Sequence, residues 1–271
     1  MPANPVVVVT GSTRGIGRGL AESFLDRRCP TMITGRSAST VDEVAGQLSE
    51  RFSADLVGGC PVDVTDIDQL RALWSATVDR FGQVDIWINN AGASARRMPL
   101  WEQSAADIAT VVDTNLTGSL LASKVALEGM VAQGHGALWN MEGFGSNNEA
   151  QPGMAAYGAS KRAVKYLNKA LQKDIAGTGV LANTLSPGIV ATDLLVDDYD
   201  QSSEEWAKAK KIFNILGDDV ETVTPWLAEK VLATDKTGQR VAWLTKRKAA
   251  GRFMTSSFNK RELFDVERAN S

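Results

Sequence analysis

Cysteine and histidine are nearly absent from this chain of 271 residues: Cys29 and Cys60 are its two cysteines and His135 its one histidine. Two cysteines with no C-x-x-C spacing make neither a disulfide framework nor a zinc or redox motif, and read as ordinary half-buried thiols. A single histidine leaves no His-rich metal site and no good candidate for a histidine-dependent triad, so no metal is expected. No run of about 18 apolar residues occurs, so no spanning helix is expected, and no charged-then-apolar leader resembles a signal peptide. An excess of one charge is also missing. Lys and Arg number 29 against 32 Asp and Glu, a net charge of −3, which argues against a nucleic-acid partner. Repeats and low-complexity linkers are absent too. What remains is 44% hydrophobic and 23% charged, the composition of a soluble globular chain, expected to be cytoplasmic and a single domain over residues 1–271.

Short apolar runs alternate with amphipathic stretches. Pro5–Thr10 (PVVVVT) is a continuous β-branched run of the kind buried on both faces of a parallel sheet. A glycine-rich turn follows, then a helical stretch from Ile16 to Arg28 with Leu20, Phe24 and Leu25 at helical spacing. Thr31–Thr34, Leu56–Val62, Val84–Asn89, Ala137–Met141 and Val180–Ser186 read as further strands. Helical patterns lie between them, including Ser39–Phe52 and Ala155–Ile175. Strands separated this way need right-handed crossovers. The expected fold class is therefore α/β: a doubly wound, mostly parallel, Rossmann-type sheet with helices on both faces. From Asp197 the pattern changes, with no strand until Arg240–Thr245. Residues from about 193 to 230 are expected to form a mobile substrate lid, and about 246–271 an extra C-terminal tail. Trp206, Trp226 and Trp243 either anchor core or line an apolar pocket for a flat substrate. Lys246-Arg247-Lys248 reads as a solvated face, with weak membrane-surface contact as the sharper alternative.

Thr10–Gly17 reads TGSTRGIG and lies between a strand and a helix. Gly11 suits a tight turn, Gly15 close backbone approach to phosphate, and Gly17 close helix–strand packing. The free amides of the helix N-terminus then face a pyrophosphate. Specificity for the dinucleotide can be argued from charge. An NAD site needs an acid after the second strand, but Gly35 and Arg36 stand there, and Arg14 lies inside the loop. Two guanidinium groups suit a 2′-phosphate, so NADP(H) is the expected cofactor. Tyr157 and Lys161 are one helical turn apart and share a face. A phenol with a pKa of about 10 is a weak acid unless a nearby cation stabilises its phenolate, and Lys161 supplies one.

The T-G-x-x-x-G-x-G loop, Asn89-Asn90-Ala91-Gly92 and Tyr157-x-x-x-Lys161 occur in the order found in the short-chain dehydrogenase/reductase family, which the chain resembles from about Pro5 to Thr192. The resemblance implies that Gly11, Ser12, Thr13, Arg14, Gly15, Ile16 and Gly17 bind the cofactor. It adds Asp63 near the adenine ring, Thr192 on the nicotinamide carboxamide, and Val64, Asn90, Ala91, Gly92, Lys161, Pro187 and Gly188 as further cofactor-binding residues beside Arg36. Asn115 matches an asparagine that orders a water in the proton relay to the lysine. Relatives carry a substrate-binding serine some thirteen residues before the tyrosine, where this chain has Gly143 or Phe144. Either Ser146 bends back to take that role, or a backbone amide near Gly143 replaces it. The Asn140–Ser146 loop (NMEGFGS), Ser186–Leu195 and Asn214–Leu227 resemble the chlorophyll(ide) b reductase branch.

Leu116, Leu120, Leu127 and Val131 form one helical stripe, and Ala163, Tyr166, Leu167, Ala170 and Leu171 another. Such stripes are mostly core-facing. The family pairs the outer faces of these two helices, which implies a homodimer or homotetramer. Three functions remain open: an NADPH-dependent reductase of a chlorophyll-like formyl group, a reductase of another lipophilic aldehyde or ketone, and a non-catalytic NADPH-binding regulator.

Overall fold

The computed structural model describes residues 2–256, 258 and 261–264. The valine run becomes β1 (Val7–Val9), whose three side chains are all buried. It lies inside the sheet because apolar side chains on both strand faces need cover on both sides. The remaining strands are β2 (Thr31–Gly35), β3 (Val57–Pro61), β4 (Ile86–Asn89), β5 (Gly136–Met141), β6 (Val180–Ser186) and β7 (Arg240–Ala242). All pair in parallel, in the order β3-β2-β1-β4-β5-β6-β7. The order reverses between β1 and β4, so a crevice opens at their C-terminal ends, the usual ligand position in such sheets.

Helices cover both faces. On one lie α1 (Gly15–Leu25), α2 (Ala38–Arg51) and α9 (Val220–Leu232), where Leu20, Phe24, Val223 and Leu227 meet Val7, Val9, Ile86 and Trp139. On the other lie α3 (Ile67–Phe81), α5 (Gly118–Gln133) and α6 (Ala155–Asp174), where Leu70, Leu73, Ala126 and Met130 meet Val8, Trp87 and Leu138. Successive residues of one strand thus serve opposite cores, as a period of two requires. Buried amides join the second layer: Trp87 Nε1 donates to Asn89 Oδ1 (2.8 Å), Asn89 Nδ2 to Asn140 Oδ1 (2.9 Å), and Asn140 Nδ2 to Asn168 Oδ1 on α6 (3.1 Å). Each amide left unpaired there would cost about 1–3 kcal/mol, so the chain sets the position of α6 on the sheet.

Three expectations change. The first helix ends at Leu25 rather than Arg28, because Arg28 takes a left-handed φ of +62° and turns the chain toward β2. The stretch expected to be a lid contains a packed helix. After the short α7 (Asp193–Val196), α8 (Glu204–Leu216) buries Trp206 and Phe213 in an aromatic cluster with Tyr199 and Phe264. The Leu120, Val131 and Tyr166 positions of the two stripes face outward, with Tyr166 74% exposed. Of the C-terminal tail, Lys246–Thr255 forms α10 and Phe264 enters the aromatic cluster; residues 265–271 lie outside the described residues.

Candidate active site

The crevice begins with the loop from Thr10 to Gly17. Gly11 (φ +64°) and Gly15 (φ +54°) take left-handed conformations that a side chain would strain. A Cβ on Gly17 would lie 2.2 Å from the Gly11 carbonyl oxygen and 2.5 Å from Asn90 Nδ2, so α1 can approach the loop only through a glycine. The Asn90 side chain closes the loop by donating to the carbonyls of Thr10 (2.9 Å) and Gly11 (3.0 Å), while the amides of Asn90 and Ala91 donate to Thr10 Oγ1. At Arg14 no side chain caps the N-terminus of α1, and no acid stands in its first turn. The helix therefore offers free amides and a positive dipole end to an anion.

Ser12 is a correction. Its amide donates to the Thr34 carbonyl (2.8 Å) and its hydroxyl accepts from the Thr34 amide (2.9 Å), so this fully buried serine ties the loop to β2 instead of facing a ligand. A Cβ on Gly35 would lie 2.8 Å from Thr13 Cγ2, which shows how closely the end of β2 meets the loop; Arg14 and Arg36, the next residue in each segment, are both exposed. Asp63 Oδ1 accepts from the Thr65 amide and hydroxyl at the end of β3, and buried Val64 packs toward Gly118. Ile16 packs on the core. Buried Pro187 and then Gly188 (φ +78°) carry the chain to Thr192, whose methyl would lie 3.4 Å from a Cβ on Gly15. The loop and Thr192 thus face each other across the crevice.

Tyr157 and Lys161 stand in the first turns of α6. Lys161 is 5% exposed; its Nζ donates to the Met141 carbonyl (3.4 Å) and lies 5.9 Å from the Tyr157 ring centre. Burial lowers the Lys161 ammonium to about 8 and raises the Tyr157 phenol to about 12; the Asp198 charge adds to the latter and Arg97 opposes it. Asn115 sits in a wide turn (Asp113–Thr117) between α4 (Ala105–Val112) and α5, with no exposed surface. Its Oδ1 accepts from the Ala93 amide (2.8 Å), and its Nδ2 donates to the Ala93 carbonyl (2.9 Å) and to Ser160 Oγ (3.1 Å). Asn115 therefore pins the segment after Gly92 to the helix that carries the pair.

The loop after β5 corrects the reading of Ser146. Its hydroxyl accepts from the Gly143 amide (3.1 Å) and donates to the Lys161 carbonyl (3.2 Å), with the residue fully buried. A hydroxyl has one proton, and this one is committed within the protein. The Gly143 amide is committed as well. A Cβ on Gly143 would lie 2.6 Å from Tyr157 Oη, so the loop passes directly against the phenol and only glycine fits there undisturbed. Beside it, buried Glu142 accepts from Arg240 Nε (2.7 Å), and Arg240 in turn donates to Ser186 Oγ (3.0 Å).

Sequence reasoning missed the wall opposite the pair. Ser94 donates to Asp198 Oδ2 (2.6 Å), the Arg97 amide to the Asp198 carbonyl (3.0 Å), and Arg97 Nη1 to Gln151 Oε1 (3.3 Å), while the Arg97 guanidinium lies 4.1 Å from the Tyr199 ring centre. Burial raises the Asp198 carboxyl to about 6. These residues come from three distant segments with no shared motif, and no linear signal marks them.

Comparison with known proteins agrees with this geometry. A short chain dehydrogenase profile matches residues 5–203. A chlorophyll(ide) b reductase of Arabidopsis thaliana is 37% identical over 237 residues, covering 86% of this chain and 66% of that protein. A chlorophyll(ide) b reductase of Oryza sativa subsp. japonica is 36% identical over 232 residues, covering 84% and 66%. The chain thus spans just under two thirds of these relatives' length. A short-chain type dehydrogenase/reductase from Mycobacterium marinum shares the fold, with a TM-score of 0.75 at 23% identity over 89% of this chain and 94% of that one. Both plant relatives are chloroplastic, which overturns the expectation of a cytoplasmic protein drawn from composition.

Proposed function

The chain belongs to the short-chain dehydrogenase family, and from that premise we propose that it is an NADPH-dependent reductase of a carbonyl in a lipophilic substrate, with a formyl group like that of chlorophyll(ide) b as the leading candidate. The observation that carries the reading is half-buried Tyr157 beside buried Lys161, set against the nucleotide crevice. Gly11, Gly15, Gly17 and the free amides of α1 fit a pyrophosphate, Arg14 and Arg36 fit a 2′-phosphate, and the dinucleotide when bound supplies hydride. Tyr157 donates the proton that the carbonyl oxygen needs. Lys161 keeps a cation near the phenolate left behind, which lowers the cost of proton loss from a phenol that burial has made a weaker acid. Asn115 and Ser146 hold the pair's surroundings in place, the first from the β4 side and the second from the β5 side.

Support for the formyl substrate comes from the plant relatives and from the resemblance of the Asn140–Ser146 loop (NMEGFGS) to that branch. Exposed Leu120, Val131 and Tyr166 on α5 and α6 support a homo-oligomer. The test is a substrate screen read by nicotinamide oxidation, with NADPH and NADH in parallel, and chlorophyllide b beside simple aryl aldehydes and ketones. Turnover of chlorophyllide b with NADPH above the simple carbonyls is the expected result. Tight NADPH binding without turnover of any carbonyl would leave a non-catalytic regulator as the better reading.

A further inference from the structure

We propose that α10 and the turn after it form a docking surface for an anionic lipid membrane. From Lys236 to Arg261 the chain has eight Lys or Arg and no Asp or Glu, although its net charge is −3. Positive charge is therefore concentrated on one segment. Four of these cations are used internally: Arg240 pairs with Glu142 (2.7 Å), Lys248 lies 3.1 Å from the Trp243 ring centre, Arg252 donates to the Leu216 carbonyl (2.8 Å) and Asp218 (3.0 Å), and Arg261 donates to Asp218 (2.6 Å). The contacts of Lys248 and Arg252 decide which face of α10 looks inward.

The other side presents both charge and grease. Lys246 and Arg247 are exposed, Phe253 is 49% exposed, Met254 80%, and Phe258 just beyond the helix 93%. The two cations occupy the first turn, which contains no acid. That end of a helix already carries partial positive charge, so cations there weaken the helix unless an external anion offsets them. Exposed aromatic and Met side chains beside Lys and Arg fit a helix lying in a bilayer interface, with apolar tips in the acyl boundary and cations at the headgroup phosphates. No helix among the described residues is long and apolar enough to cross a membrane, so the contact is peripheral. α10 packs on α8, which adds exposed Lys211 and Ile212.

The full chain is mixed with phosphatidylcholine vesicles, with or without about one third phosphatidylglycerol, and sedimented at low and physiological salt. We expect binding to the anionic vesicles that falls as salt rises, and at least about tenfold weaker binding to neutral ones. The pair Lys246→Glu and Arg247→Glu should weaken anionic binding by about 30-fold or more, since each cation near such a surface contributes roughly a factor of five. The pair Phe253→Ser and Met254→Ser should weaken it about tenfold. Both pairs should keep the parent's melting temperature and size by sedimentation velocity. Absence of anionic binding, equal binding to neutral vesicles, or vesicle binding that neither pair alters would overturn the proposal. A change in oligomeric size in either pair would also overturn it, showing that the patch joins copies of this chain.

Discussion

The loop at residues 10–17 and the loop at 141–146 each leave the C-terminal end of a buried strand, and each turns toward a helix that serves the site. They are held differently. The first is fixed by backbone groups and the Asn90 amide, with Gly11, Gly15 and Gly17 where Cβ atoms would strain or collide. The second is fixed by the Ser146 hydroxyl between the Gly143 amide and the Lys161 carbonyl, and it presses a glycine against the phenol. The first edge uses a device that any sequence with the right glycines can make, and its uncapped amides suit an anion. The other is shaped by individual side chains.

Four changes would break or sharpen that contrast. Tyr157→Phe should lower turnover by roughly 10²–10⁴-fold while leaving NADPH affinity nearly intact, as steady-state kinetics and a fluorescence titration would show. A parallel collapse in cofactor binding would mean the two edges are not separable. Arg36→Asp should weaken NADPH binding by about 1.5–3 kcal/mol and narrow its advantage over NADH, measured as the ratio of dissociation constants. An unchanged ratio would remove the arginines from cofactor choice.

Ser146→Ala should cost stability rather than chemistry. The Gly143 amide and the Lys161 carbonyl would lose a buried partner, a loss of about 1–3 kcal/mol in denaturant unfolding, with kcat falling far less than in Tyr157→Phe. A rate loss of about 10²–10³ at unchanged stability would instead restore the serine as a carbonyl donor. The smallest effect concerns Asp198. Burial raises its carboxyl from 3.8 to about 6, so the folded chain favours the neutral form, and this group's contribution to stability declines as pH rises from about 4 to 6. Asp198→Asn should remove that slope and gain on the parent by about 1 kcal/mol at pH 7, with Ser94 still able to donate to the amide oxygen. Melting temperatures at pH 4.5 and 7 would check it, and an identical pH dependence in both proteins would place the carboxyl in water.

The sheet, its parallel order and the Tyr157–Lys161 pair were legible because each rests on local pattern: a valine run needs cover on both faces, and residues four apart share a helix face. Ser146 could be named but not placed, since counting residues does not reveal whether a hydroxyl points into a crevice or is spent on the loop that carries it. The same limit hid the packing of α8, where Trp206 and Phe213 find Tyr199 and Phe264 across some 65 residues. Sequence by itself determined the main strands, the glycine loop and the spacing that sets Lys161 one turn from Tyr157, because steric and charge rules act over a few bonds. Only the tertiary structure decided which polar groups meet, because a hydrogen bond such as Ser94 to Asp198 exists only when two remote segments arrive within 3 Å of each other.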